Sequence, residues 1–152
     1  MVDTRRAGVE DAAELIRLRT VMLEATGPWL APGADILRRQ LSDPADLVAA
    51  FVVDRPDGSG LAACAVGAID ERLPGPNDPT GLRGYVYNVA TDPEYRRRGY
   101  SRACMGALLS WYGRRGVAAV DLRASPEGEP LYAALGFRRT AQPAMRRISP
   151  GR

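Results

Sequence analysis

Residues 88–102 read Asn-Val-Ala-Thr-Asp-Pro-Glu-Tyr-Arg-Arg-Arg-Gly-Tyr-Ser-Arg and hold the densest chemistry in the chain. Arg96, Arg97, Arg98 and Arg102 fall within seven positions, Gly99 interrupts them, and a helical pattern starts at Tyr100. That arrangement suits a phosphate group. The N–H groups of a helix's first turn have no internal acceptors, its dipole is positive at that end, and glycine lets an anion approach the backbone. Arginine adds charge-assisted hydrogen bonds from a planar fork. The same residues would also serve as a solvated basic turn capping a helix, so composition alone leaves both readings open.

What the chain lacks narrows the chemistry. Its 152 residues include no His, and all 21 basic residues are Arg, so there is no Lys. Ser-His-Asp and Cys-His relays, His-ligated metal, Schiff-base lysines and phosphate-binding lysines are excluded. Cys64 and Cys104 are too few for a structural zinc site and lie in apolar patterns, so they are expected to be buried and reduced. No metal is expected. A net charge of +3 is small for a nucleic-acid binder, and the arginines cluster at one helix start without interleaved aromatics. Gly58-Ser59-Gly60-Leu61-Ala62-Ala63 matches the dinucleotide pattern G-x-G-x-x-A, but it precedes a strand pattern and reads as a hairpin turn.

These residues must be positioned by a fold, and 45% hydrophobic content with no repeat or long linker predicts one domain over residues 1–152. No run approaches the ~20 apolar residues of a membrane span, and no apolar stretch follows Met1 as in a secretory signal. A cytoplasmic protein with no membrane or nucleic-acid partner is expected. Residues 2–7 suit a short strand. Residues 10–25 carry Ala12, Leu15, Ile16, Leu18, Met22 and Leu23 near the 3.6 period of a helix that Gly27-Pro28 stops. A second helix is predicted over 34–41, and strands over 47–53 and 61–69 flank a turn rich in Gly, Pro and Asp. A strand over 85–91 ends at Asp92-Pro93. The strongest helix spans 100–115, with Cys104, Leu108 and Trp111 on one face and Gly116 as a left-handed stop. A strand over 117–122, a short helix over 130–135 and one or two closing strands over 137–148 complete an α/β (α+β) order with helices packed on a mixed sheet.

Arg96-x-x-Gly99-x-Ser101 resembles the R/Q-x-x-G-x-G/A signature of the GNAT family of acyl-CoA-dependent N-acetyltransferases. It lies between the fourth strand and the third helix, where that family carries it. Leu131-Tyr132-Ala133-Ala134-Leu135-Gly136-Phe137 is similar to the family's L-Y-x-x-x-G-F segment, and the order of elements agrees over essentially the whole chain. The resemblance implies a GNAT-like, mostly antiparallel sheet of about six or seven strands with about four helices, its fourth and fifth strands splayed apart. It also implies acetyl-CoA as cosubstrate and an amine acceptor, either a small molecule or an N-terminal amine, attacking directly through a tetrahedral intermediate. A homodimer is common in the family.

Carried over residue by residue, Val89, Ala90 and Thr91 would hold the pantetheine arm, and the Val89–Ala90 backbone would polarise the thioester carbonyl. Arg96, Arg97, Arg98, Gly99, Tyr100, Ser101 and Arg102 would wrap the pyrophosphate. Tyr132 would protonate the leaving thiolate, its alternative role being a tyrosine packed under the sheet. Trp29, Tyr87 and Asn88 are candidates for the acceptor pocket, with Met22 and Tyr85 behind them, although Trp29 would serve equally as a core plug. Ser101 replaces the family's final Gly or Ala, and Ser125 stands where many members carry Asn. Asn88 occupies a position where some members have a Glu base, so the base is unassigned, with Asp70 and Glu71 as candidates. The missing carboxylate keeps a non-catalytic acyl-CoA-binding module of the same fold as the alternative.

Overall fold

Apolar residues run almost unbroken through the second and third strand patterns, and such strands need cover on both faces. The computed structural model, which describes residues 1–151, supplies it. Strands β1 (Arg5–Arg6), β2 (Val48–Asp54), β3 (Leu61–Glu71), β4 (Leu82–Thr91) and β5 (Ala119–Leu122) form a five-stranded sheet in chain order. Its pairs are antiparallel except β4 with β5, which run parallel. Helices α1 (Ala12–Leu23) and α2 (Leu30–Ser42) cover one face, α3 (Tyr100–Arg114) covers the other, and α4 (Glu129–Ala134) follows β5. α2 begins earlier than its periodicity suggests, because Pro32 sits in the first turn, where a missing N–H costs no helical bond.

Alternation along β2 divides the core. Val48, Ala50 and Val52 join Leu15, Leu18 and Leu37 beneath α1 and α2, while Ala49, Phe51 and Val53 meet Met105, Leu108 and Trp111 of α3. Cys64 and Cys104 are free, buried and on opposite faces of the sheet. Burial pushes the Cys64 thiol up to about 12 and the Cys104 thiol up as well, so both stay protonated and inert, as expected. Tyr112 docks α3. A Cβ on Gly67 would run into its hydroxyl, and one on Gly84 would lie 2.7 Å from its ring. The hydroxyl donates to the carbonyls of Ala68 (3.0 Å) and Tyr85 (3.2 Å), which satisfies it under the helix.

One irregularity shapes the site. Gly67 of β3 pairs with Val86, yet the preceding Val66 pairs with Asn88, so Tyr87 is an extra residue in β4. Such a bulge bends and twists its strand and leaves consecutive side chains on one face. Val86 and Val89 belong to the α3 side, whereas Tyr87 packs towards α1 and α2, and Asn88 faces Cys64 on that same side. Pairing with β5 stops at Val86 opposite Leu122, so residues 87–91 continue with one edge unpaired. The fourth and fifth strands are parallel, and their pairing ends next to the bulge.

The sheet is smaller than expected. Residues 137–148 form no strand, and the count among the described residues is five instead of six or seven. Arg138, Arg139, Arg146 and Arg147 crowd this segment, Pro143 interrupts it, and its apolar Met145 and Ile148 are exposed. It therefore presents no alternating apolar face to bury against β5. Only its first residue, Phe137, packs on the core, edge-on to the Tyr132 ring at 6.0 Å.

Candidate functional site

Beyond β4 the chain turns through a 3-10 turn, Pro93–Tyr95, and enters α3 by way of Arg96 to Gly99. Arg97 (φ 63°) and Gly99 (φ 78°) are both left-handed, with Arg98 between them at negative φ. Alternation of this kind turns successive N–H groups inward to a concave, anion-accepting nest. Among the described residues, none of the N–H groups of residues 97–102 has an acceptor, and no side chain caps α3. A Cβ on Gly99 would meet nothing within 4 Å, so the space beside it is open. The Ser101 and Thr91 hydroxyls lie 2.6 Å apart and tie the helix start to the end of β4. Serine at this position thus gains a partner that the family's glycine or alanine would lack.

The loop is anchored by Asp92, which the sequence reading treats only as a strand terminator. Asp92 is 4% exposed, and its carboxylate accepts two bonds from Arg17 (2.9 Å each) and one from Arg55 (2.6 Å). Burial works to raise its pKa, but the two guanidinium groups outweigh that and hold it below the ordinary carboxylate value. Glu14 extends the cluster, bonding Arg17 and accepting the Leu61 N–H at 2.9 Å. Together these residues fasten α1 and the β2–β3 hairpin to the root of the cationic loop.

A cleft of about 350 Å³ opens where the unpaired end of β4 meets this loop. It collects Val89, Thr91, Arg96, Arg97 and Gly99 on one side, continues along Tyr100, Ser101 and Arg102, and is closed by Ser125, Leu131 and Tyr132. Ala90 and Arg98 fall outside its lining. Ala90 is buried towards α1, whereas Arg98 sits over the Tyr95 ring and donates to the Glu94 carbonyl at 3.3 Å. Arg96 donates to the Thr91 carbonyl at 3.2 Å. Tyr132 is partly buried, and desolvation raises its pKa, so the hydroxyl keeps its proton at neutral pH. It also borders a cavity of about 520 Å³ between β5 and the C-terminal segment.

A second cleft, about 250 Å³, lies across the sheet between α1, α2 and the bulge, and Tyr87 and Asn88 line it. Arg19 and Gln40 line it too, and sequence reasoning missed both. The available signal was a second arginine, two positions after Arg17, on a helix whose neighbours point to the core. Trp29 packs on the core beneath α1 and α2 and is not part of this lining. Met22, Tyr85, Asp70 and Glu71 line neither cleft; Asp70 is exposed and paired with Arg72 at 3.0 Å.

Adjacent residues of one strand thus serve two clefts on opposite faces, Asn88 on one and Val89 on the other. A strand with a bulge and a free edge leads into a helix start with unclaimed N–H groups, an arrangement suited to an anionic, phosphate-bearing ligand. The chain belongs to the acetyltransferase (GNAT) family, whose model matches residues 14–137. A GCN5-related N-acetyltransferase from Ralstonia eutropha JMP134 superimposes with a TM-score of 0.81 at 26% identity, over 95% of this chain and 97% of that one. A predicted acetyltransferase with acetyl-CoA from Clostridium acetobutylicum has a TM-score of 0.84 at 22% identity, over 97% and 96% of the two chains. The [ribosomal protein bS18]-alanine N-acetyltransferase of Escherichia coli K12 is 40% identical over 55 residues. That match spans 34% of this chain and 37% of the relative. No helix among the described residues is long and apolar enough to cross a membrane.

Proposed function

We propose that the chain is an N-acetyltransferase that moves the acetyl group of acetyl-CoA to an amine. The observation that carries this reading is the unclaimed run of N–H groups at residues 97–102, opening into the same cleft as Val89, Thr91 and Tyr132. These residues fit the cosubstrate, since a nest with flanking arginines suits a pyrophosphate and an unpaired strand edge suits an amide-bearing arm. The thioester supplies an activated acetyl group. In the exchange, the amine nitrogen forms a bond to the acetyl carbon and gives up a proton to solvent, the carbon–sulfur bond breaks, and the sulfur leaves with the electron pair.

In this reading the chain's own groups do the rest. The N–H groups and Arg96, Arg97 and Arg102 neutralise and orient the phosphates, while the free edge of β4 fixes the arm. Backbone donors near Val89 stabilise negative charge developing on the carbonyl oxygen. Tyr132, protonated at neutral pH, delivers its proton to the departing sulfur.

The test compares thermal shifts with acetyl-CoA, CoA, NAD and ATP at equal concentration. At 100 times its dissociation constant, a ligand adds ~2.7 kcal/mol, roughly 5–10 °C for a chain of this length. A shift confined to the two CoA species, followed by thiol release with an amine, supports the proposal. A CoA shift without thiol release from any amine favours the non-catalytic binding module, and no CoA shift removes the cofactor assignment.

A further inference from the structure

The second cleft carries a charge that no carboxylate among the described residues neutralises. Arg19 is the only ionised side chain in its lining, and neither Asp nor Glu lines it. Arg17, two residues earlier on the same helix, is held by Asp92 and Glu14. Arg19 instead makes two long contacts through Nη1, to the Tyr87 carbonyl (3.3 Å) and the Asn88 Oδ1 (3.4 Å). No carboxylate among the described residues pairs with it. A guanidinium has five N–H donors, so most of its fork is uncommitted.

The remaining surroundings describe a ligand of mixed character. Leu15, Ile16, Ile36 and Leu37 make the walls contributed by the two helices apolar, and Gln40 adds a neutral amide. An ammonium ion without a compensating charge would meet an unpaired guanidinium and aliphatic walls, an unfavourable environment on both counts. A molecule with an apolar body and a carboxylate satisfies the walls and the fork together, since arginine binds carboxylates through two parallel bonds. The volume of about 250 Å³ lies below the ~300–1,000 Å³ of drug-sized pockets, which favours a small molecule over a long chain.

We infer that the acceptor is a small amino acid with an apolar side chain, and that Arg19 holds its carboxylate while the amine is presented past Asn88 to the acyl cleft. This rests on the acetyl-transfer reading above. Asn88 fits the arrangement as a neutral spacer. It is 4% exposed, its Nδ2 lies 3.6 Å from the Cys64 sulfur, and its Oδ1 faces Arg19. A carboxylate at that position would pair with Arg19 and cancel the charge that selects the acceptor.

Matched acceptors test the inference. Thiol release from acetyl-CoA is measured with leucine against 3-methylbutylamine and with phenylalanine against 2-phenylethylamine, for wild type, Arg19→Ala and Arg19→Lys. The wild type should prefer the carboxylate-bearing member of each pair by ~10- to 100-fold in kcat/KM, the range expected of a charge-assisted contact. In Arg19→Ala that ratio should collapse towards one through KM, and Arg19→Lys should restore part of it. Calorimetric titration of leucine and of 3-methylbutylamine into the CoA-saturated protein gives a readout without turnover, and leucine should bind selectively. Equal use of both members of each pair, or an equal loss with both in Arg19→Ala, overturns the inference while leaving acetyl transfer intact. Absence of leucine binding overturns it as well. Failure of the earlier reading looks different, because there the CoA species themselves produce no thermal shift.

Discussion

Replacing Asp92 with Asn changes one oxygen for one amide group, yet it should be among the most damaging conservative substitutions in the chain. The wild-type carboxylate accepts three guanidinium bonds, two from Arg17 and one from Arg55. Asparagine keeps one acceptor and turns N–H donors towards cations, so about two charge-assisted bonds are lost, each worth ~1.5–3 kcal/mol. Arg17 and Arg55 retain 35% and 23% side-chain exposure and recover part of their hydration, which brings the net cost to about 3 kcal/mol. For a chain of this length that is a fall in Tm of roughly 6–12 °C. Scanning calorimetry across pH is the assay. Asp92 has its pKa lowered on folding, so its contribution is complete above its unfolded value, about 4, and disappears as pH falls through the lower folded value. The wild type should lead the variant by the full margin at pH 7 and lose that lead in acid. Equal stability at pH 7, or a gap that persists in strong acid, would refute the argument.

Other substitutions probe other parts of the site. Tyr132→Phe should lower turnover by about a hundredfold while leaving acetyl-CoA affinity nearly intact, measured by steady-state kinetics and titration; wild-type turnover would remove Tyr132 from the mechanism. Gly84→Ala sets a methyl 2.7 Å from the Tyr112 ring and should cost about 1–3 kcal/mol by overpacking, seen as a lower midpoint in urea. Cys64 and Cys104, buried with raised pKa values, should resist an aromatic disulfide reagent in the native state and react together once denaturant is added.

The cationic loop was legible because its information is local: Arg96, Gly99 and the start of α3 are neighbours in sequence, and helix-start chemistry needs nothing further. The anchor of that loop was not. Asp92 meets Arg17 across 75 positions and Arg55 across 37, so no spacing pattern could join them. The bulge escaped for a related reason. In a strand where most side chains are apolar or half-buried, one extra residue leaves no break in composition, and only the register against β3 shows it. The sequence pattern predicts closing strands over 137–148, but Arg138, Arg139, Arg146 and Arg147 argue against a buried edge there. Arg19 was passed over because a lone arginine on a core-facing helix resembles any other surface cation until its partners are known to be missing.

The extra residue at Tyr87 has a consequence of parity. Deleting any regular residue from β4 would reverse the facing of everything beyond it, exchanging wet for dry positions along the rest of the strand. Deleting Tyr87 would not. With it gone, Val86 and Val89 would still look towards α3, and Asn88 and Ala90 would still look towards α1, with every pairing to β3 in step. The shortened protein would keep its core and lose its opening, because β4 would have no cause to turn away from β5 after Val86. The open seam that the proposed acyl transfer would use is thus one residue long in the sequence and separable from the fold that carries it.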